Sequence, residues 1–159
     1  NSRSRLEATL NHLAKLKYDS SLLELILVDN ASTDGTALFA QKTWETLAHP
    51  FNYVPVHEQQ AGLIYARKAA VKHAKHDYIV FVDDDNWLDE YYVEEAAKLL
   101  TRDASIGILG GYASPAFESP APKWMFPMPP SVRPLAIVGD DPSGPGAGKT
   151  TESRLGRRT

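Results

Sequence analysis

The sequence predicts an α/β protein with a mostly parallel sheet and helices on both faces. The first observation behind this prediction is the alternation of short apolar runs of strand length with longer segments of helical spacing. The second is that two of these runs, residues 22–28 and 77–82, lead directly into aspartates. In open parallel sheets ligands bind outside the carboxyl ends of the strands, so these aspartates mark a candidate site.

The first half of the chain is predicted to hold two helices and two strands. The opening helix is indicated by leucines at helical spacing, which are Leu6, Leu10 and Leu13. Residues 22–28 form the first buried strand, and the sequence STDGT after it indicates a turn and a second helix. Residues 52–58 form a short strand in which Pro55 favours an edge position.

The elements that follow continue the alternation up to residue 113. A third helix is predicted over residues 63–76, a strand over 77–82 and a fourth helix over 88–100. A last strand, residues 105–113, is interrupted by glycines. We therefore predict one core domain over residues 1–113.

Composition changes after this core, because nine of the eleven prolines lie between residues 115 and 145. Residues 114–159 are accordingly predicted to be an irregular, partly disordered Pro-rich arm. The net charge of −3 argues against a nucleic-acid binder. No apolar run approaches the roughly 20 residues of a transmembrane helix. Cysteine is absent, which is compatible with a cytoplasmic location, either free or bound peripherally at the membrane.

Three features separated in the chain are candidates for one site. Asp29 ends the first buried strand, and three adjacent aspartates, 83–85, end another. Arg67 falls on the apolar face of the third helix, where its charge needs a partner: Asp29, one of the three aspartates or a ligand phosphate. The alternatives are that the aspartates cap turns or helices and that Arg67 extends past alanines to water. The neighbouring pair His57 and Glu58 is expected to be exposed at the rim.

The three adjacent carboxylates repel one another unless a positive group lies between them. Mg²⁺ and Mn²⁺ prefer oxygen ligands and are usually held by one or two carboxylates together with substrate phosphates. A crevice that combines these acids with an arginine therefore suits a nucleoside diphosphate bound with a divalent cation. The sequence predicts Mg²⁺ or Mn²⁺ as the cofactor.

The segments LELILVDNASTDGT and EQQAGLIYARKAAVKHAKHDYIVFVDDDNWL resemble family 2 glycosyltransferases of the Rossmann-like GT-A fold. The resemblance covers roughly residues 1–113 and implies a nucleoside-diphosphate sugar as donor. It also implies that Asp29, with Asn30 beside it, contacts the nucleotide base and that Arg67 approaches the nucleotide.

The same resemblance assigns the acidic segment to a DxD motif. It implies that Asp83 or Asp84 holds the ribose side and that Asp85, together with Asp83, binds the metal on the diphosphate. The family transfers the sugar to an acceptor, here a hydroxyl group of unknown type, mostly with inversion.

Two departures from the family pattern accompany the resemblance. Relatives begin with a strand of the type VSVIIPTYN, whereas this chain starts at Asn1, so an exposed sheet edge or groove and possible homo-oligomers are expected. No acid after residue 114 matches the family's general base, which stays unassigned. The alternative function is therefore a non-catalytic nucleotide-sugar-binding domain or an incomplete, inactive fragment.

Overall fold

A computed structural model describes residues 1–47, 50–111, 113 and 116. It contains four α-helices, two strands and one short 3₁₀ turn within those residues. In chain order they are α1 (Arg3–Leu13), the 3₁₀ turn (Ser20–Leu22), β1 (Glu24–Asn30), α2 (Thr36–Thr46), β2 (Asn52–Glu58), α3 (Leu63–His73) and α4 (Tyr92–Arg102). The predicted α/β class is confirmed.

The two strands lie side by side and parallel, joined through the crossover helix α2. Their register runs from Glu24 opposite Asn52 to Asn30 opposite Glu58. The strands therefore end level with each other, and their carboxyl ends form one edge of the sheet. Among the described residues β1 pairs only with β2, so its second edge is open.

One face of the sheet packs on the main core. The indole of Trp44 in α2 is fully buried, and its Nε1 donates a hydrogen bond to the Phe51 carbonyl at 3.3 Å. The predicted leucines of α1 are all buried here, which confirms that helix. The core cluster consists of Leu6, Leu10, Leu13, Ala40, Trp44 and Leu88, with Leu25, Leu27 and Tyr53 of the strands packed against it.

The opposite face of the sheet is covered by α3. Side chains alternate along a strand, so Val56, next to the ladder partner of Leu27, points away from the α2 side. Val56 is buried, and α3 contacts both strands and buries Ala69. Helices thus lie on both faces of the sheet, as predicted.

The predicted strand at 77–82 is wrong, and the described part of 105–113 is likewise not a strand. A strand is defined by ladder hydrogen bonds, and within the described residues neither segment has a neighbouring strand to supply them. The apolar side chains of the first segment are left accessible, with Tyr78 67% and Phe81 43% exposed. This surface and the open edge of β1 match the exposed edge or groove expected from the sequence.

Each described helix has at most eleven residues, whereas a membrane-spanning helix needs about 20. The Pro-rich arm predicted for 114–159 lies outside the described residues apart from Ala116, so it stays a prediction. The boundary at residue 113 is a prediction for the same reason.

Candidate functional site

Asp29 lies at the carboxyl end of β1 and is buried, with its side chain 10% exposed. Its Oδ1 accepts a hydrogen bond from the Ser32 amide at 3.3 Å. Its Oδ2 lies 3.4 Å from Nδ1 of His57, the ladder partner of Asp29 on β2. The His57 side chain is 59% exposed, as expected for the rim. The carboxylate is therefore fixed between the loop after β1 and an imidazole that faces solvent.

Asn30, the next residue, ties the loop before α3 to the end of β1. Its Nδ2 donates to the carbonyls of Gln60 at 2.6 Å and Glu58 at 3.3 Å, and its Oδ1 accepts from the Gly62 amide at 2.6 Å. Gly62 has a φ of +134°, a backbone conformation that residues with a side chain rarely adopt. It immediately precedes the first residue of α3. The Asn30 amide thus positions the start of α3.

Arg67 on α3 is exposed, and its guanidinium lies over the Phe81 ring at 5.3 Å from the centroid. The alternative that Arg67 extends to water agrees with its exposure, and Leu63 on the same face of α3 is 58% exposed as well. Among the described residues the partner of Arg67 is an aromatic face rather than a carboxylate. Since Phe81 is two positions before Asp83, this contact still brings the arginine beside the acidic segment.

The three aspartates form a turn closed by the Asn86 amide, which donates to the Asp83 carbonyl at 3.1 Å. Asp83 is exposed. Oδ2 of Asp84 lies 2.8 Å from Nη2 of Arg5, and Oδ2 of Asp85 lies 3.3 Å from Nη1 of the same arginine. We call residues 83–86 the acidic turn. One guanidinium from α1 thus spans two of its carboxylates.

The amino-terminal end of α1 also holds the loop that follows β1. The Asn1 side chain accepts from the Thr33 amide at 2.8 Å, and the Ser2 amide donates to Oγ1 of Thr36 at 3.1 Å. The Thr36 hydroxyl donates in turn to Asp34, and this bond is the main reason that the pKa of Asp34 is lowered. The loop after β1 and the acidic turn are therefore both attached to residues 1–5, which brings the segments of Asp29 and of the aspartates to the same end of the fold.

Two facts bear on a divalent cation at the acidic turn. Asp85, one of the predicted metal ligands, and the neighbouring Asp84 both contact one cationic group, so a positive charge is accommodated beside the turn, and a cation there can share its coordination between carboxylates and substrate phosphates. Within the described part of the chain, however, no three acidic, histidine or cysteine side chains converge closely enough to hold a metal by themselves. The donor set fits a cation whose coordination a bound diphosphate completes.

A shallow cavity of about 510 Å³ lies elsewhere, against α4, and is lined by Tyr18, Glu94, Ala97, Lys98, Thr101 and Arg102. It contains none of the predicted site residues.

Sequence reasoning missed Arg5 and the contact between His57 and Asp29. A signal for Arg5 exists, because α1 has arginines and no acid in its first turn. Cations are unfavourable at a helix amino terminus, so Arg5 requires a nearby anion. The position of His57 opposite Asp29 follows from the register, which the sequence alone does not fix.

The sequence matches the glycosyl transferase family 2 profile over residues 1–140. It is 28% identical over 92 residues to glycosyltransferase GlyA of Streptococcus pneumoniae. The aligned part is 58% of this chain and 13% of GlyA. Among solved structures, Staphylococcus aureus TarS in complex with UDP superposes with a TM-score of 0.65 at 25% identity, over 80% of this chain and 37% of that one.

The mannosyltransferase PcManGT of Pyrobaculum calidifontis, in complex with GDP-Man and Mn²⁺, superposes with a TM-score of 0.60. The identity is 27%, over 69% of this chain and 31% of that one. The fold is therefore that of the GT-A glycosyltransferases. The chain belongs to glycosyl transferase family 2. It spans 13% of GlyA, 17% of TarS and 31% of the solved PcManGT chain.

Proposed function

We propose that this chain forms the donor site of an enzyme that transfers a sugar from a nucleoside-diphosphate sugar to an acceptor hydroxyl, with inversion. The observation that carries the proposal is the attachment of two remote segments to residues 1–5: the loop after Asp29 and the acidic turn. The likeness to a UDP complex of TarS and a GDP-Man complex of PcManGT supports a nucleotide-sugar donor.

The base of the nucleotide is assigned to the end of β1. Asp29 is fixed by Ser32 and His57 with little freedom to reorient, which suits a carboxylate that accepts hydrogen bonds from a base. Asn30 lies next to it, and three of its amide hydrogen-bonding positions already engage the loop before α3, so its part is to position that loop.

The phosphates are assigned to the region between Arg67 and the acidic turn. Arg67 is exposed and lies over Phe81, so in the proposal a phosphate oxygen reaches its guanidinium and accepts hydrogen bonds from it. In the proposal Asp83 or Asp84 faces the ribose, and Asp85 with Asp83 holds Mg²⁺ or Mn²⁺. When bound, the cation supplies positive charge that stabilises the departing diphosphate.

A second candidate is a domain that binds the donor without transferring the sugar. It keeps the same donor contacts and needs no general base, a residue that stays unassigned among the acids after residue 114. Without a group to accept the proton of the attacking hydroxyl, transfer lacks a contribution of typically 10²–10⁴-fold.

The test is a calorimetric titration of the full chain with UDP and GDP, each with and without Mn²⁺. We expect binding that Mn²⁺ strengthens and that Asp85→Asn weakens by about tenfold, equivalent to about 1.4 kcal/mol. Asp77→Asn is the matched control, because it removes the same charge at an exposed position before the apolar run. Equal affinity in both variants and in the wild type, with or without Mn²⁺, would refute the metal site.

Sugar transfer is measured separately with the UDP- or GDP-sugar that binds, as release of the nucleoside diphosphate in the presence of hydroxyl acceptors. Release that depends on the acceptor supports the enzyme. Tight donor binding without any release selects the binding domain.

A further inference from the structure

Arg5 contacts Asp84 and Asp85 of the acidic turn, which lie 79 and 80 positions further along the chain. The guanidinium uses two different nitrogens, Nη2 for Asp84 at 2.8 Å and Nη1 for Asp85 at 3.3 Å. The guanidinium thus bridges two carboxylates instead of forming a bidentate contact with one. Arg5 lies where a single positive charge neutralises both acids.

We propose that Arg5 is a built-in counter-cation of the acidic turn, which a divalent metal ion must displace in order to bind. In this arrangement Arg5 lowers the affinity of the empty site for metal. The inference rests on the proposed function, since it takes the acidic turn as the metal site.

The placement of Arg5 follows from electrostatics. Adjacent carboxylates repel one another and need a positive neighbour. Arg5 in turn lies in the first turn of α1, where the helix dipole disfavours a cation unless an anion is close. Each group relieves an unfavourable charge of the other, which explains why they meet despite their separation in the chain.

The contact is also one that can be broken without unfolding the site. The side chains of Arg5, Asp84 and Asp85 are 48%, 28% and 54% exposed, and ion pairs with such exposure are weak in water. The backbone of the turn has a separate attachment, because Oγ1 of Thr9 donates to the Asp84 carbonyl at 2.9 Å. The backbone of the turn thus keeps this attachment when the guanidinium leaves.

The consequence is a link between metal and donor. Asp85, which both Arg5 and the proposed metal contact, must release the arginine before it can bind the cation, so the metal alone binds weakly. A diphosphate adds oxygen ligands and favours the exchange towards the metal. Metal is therefore expected to bind mainly together with the nucleotide, so that the acidic turn is neutralised by Arg5 in one state and by the cation in the other.

The experiment measures Mn²⁺ binding to the full chain by electron paramagnetic resonance, in which bound Mn²⁺ loses the signal of the free ion. Arg5→Gln is compared with Arg3→Gln, which removes the same charge from the same helix. The guanidinium of Arg3 lies over the Phe39 ring, 5.5 Å from the ring centroid. Without nucleotide, we expect Arg5→Gln to lower the Kd for Mn²⁺ about three- to tenfold relative to Arg3→Gln. Arg5→Lys, which keeps the charge without the guanidinium, should fall between the wild type and Arg5→Gln.

Three outcomes decide between the possibilities. Tighter Mn²⁺ binding in Arg5→Gln, with a larger rise in melting temperature on adding Mn²⁺ than in the wild type, supports the inference. Equal Kd values in Arg5→Gln and Arg3→Gln, or weaker binding in Arg5→Gln, overturn the inference and leave the metal site standing. Absence of Mn²⁺ binding in every variant, even with UDP or GDP at millimolar concentration, overturns both.

Discussion

Strand β1 and the segment 78–82 have similar sequences and different structures. Both are apolar runs rich in branched side chains, and both lead into aspartates. β1 is paired with β2 along its whole length and ends at the buried Asp29 region. The segment 78–82 makes no ladder within the described residues, and four of its apolar side chains are at least 39% exposed.

The difference shows that strand-like composition alone does not make a strand. An apolar run becomes a strand when a neighbour accepts and donates its backbone hydrogen bonds. β2 meets this need for β1 on one edge, and nothing described meets it for 78–82. An unpaired run of this kind exposes a template for self-association, which is why homo-oligomers remain a prediction.

Amide hydrogen exchange tests the comparison most directly and has the largest expected effect. Ladder amides of β1 open only with global or near-global unfolding, so we expect them to exchange at least about 10³-fold more slowly than the amides of residues 79–82. The measurement is hydrogen–deuterium exchange read by NMR. Equal protection of the two segments would show that 78–82 acquires a partner in solution.

The second largest contrast is expected in the stability lost when an aromatic side chain is removed from each region. Trp44→Ala removes a fully buried indole from the core beneath β1, and we expect it to lower the free energy of unfolding by about 3–5 kcal/mol. Phe81→Ala removes a ring that is 43% exposed, and we expect a loss below about 1 kcal/mol. Urea denaturation measures both variants. Similar losses would mean that Phe81 packs in a core of its own.

The asparagines that follow the two runs offer a smaller contrast. Asn30→Ala leaves the loop before α3 without three side-chain hydrogen bonds, and we expect a loss of about 1–3 kcal/mol in the free energy of unfolding. Asn86→Ala is the control, since Asn86 closes the acidic turn through its backbone amide. Nucleotide affinity should fall in Asn30→Ala as well, because α3 carries Arg67. An unchanged affinity would argue against a positioning role for Asn30.

The smallest expected effect is on acid stability at the junction of β1 and α2. The hydrogen bond from the Thr36 hydroxyl lowers the pKa of Asp34 below its usual 3.8. A lowered pKa stabilises the folded state above about pH 4, and this contribution is lost as the pH falls through the folded-state value. Thr36→Val should therefore lose less stability than the wild type between pH 5 and pH 3 in urea denaturation. Equal losses would exclude this bond as a source of the pH dependence.

Much of the fold was predictable because it depends on local patterns. The leucines of α1 and the run of β1 follow from spacing, and the structure confirms them. The edge position that Pro55 favours for β2 stays a prediction, because both strands are edges of the two-stranded sheet seen in the described residues.

The site residues stay a prediction: Asp29 lies at the end of β1, as expected, but the segment before the acidic turn is not a strand, so the rule on strand ends does not by itself bring the aspartates to Asp29. The contacts of the site were not predictable, because Arg5 reaches the acidic turn across 79 positions of sequence and Arg67 contacts Phe81 instead of a carboxylate.

The sequence by itself determined which segments could be helices or strands and which acids fall at their carboxyl ends. Those properties follow from side-chain periodicity and backbone preference, which act over a few residues. Tertiary structure alone decided which runs became strands, which cation faces the aspartates and which side chain orients Asp29. Hydrogen-bond ladders and ion pairs need a partner in space, and the partner's place is fixed only once the helices and strands have packed together.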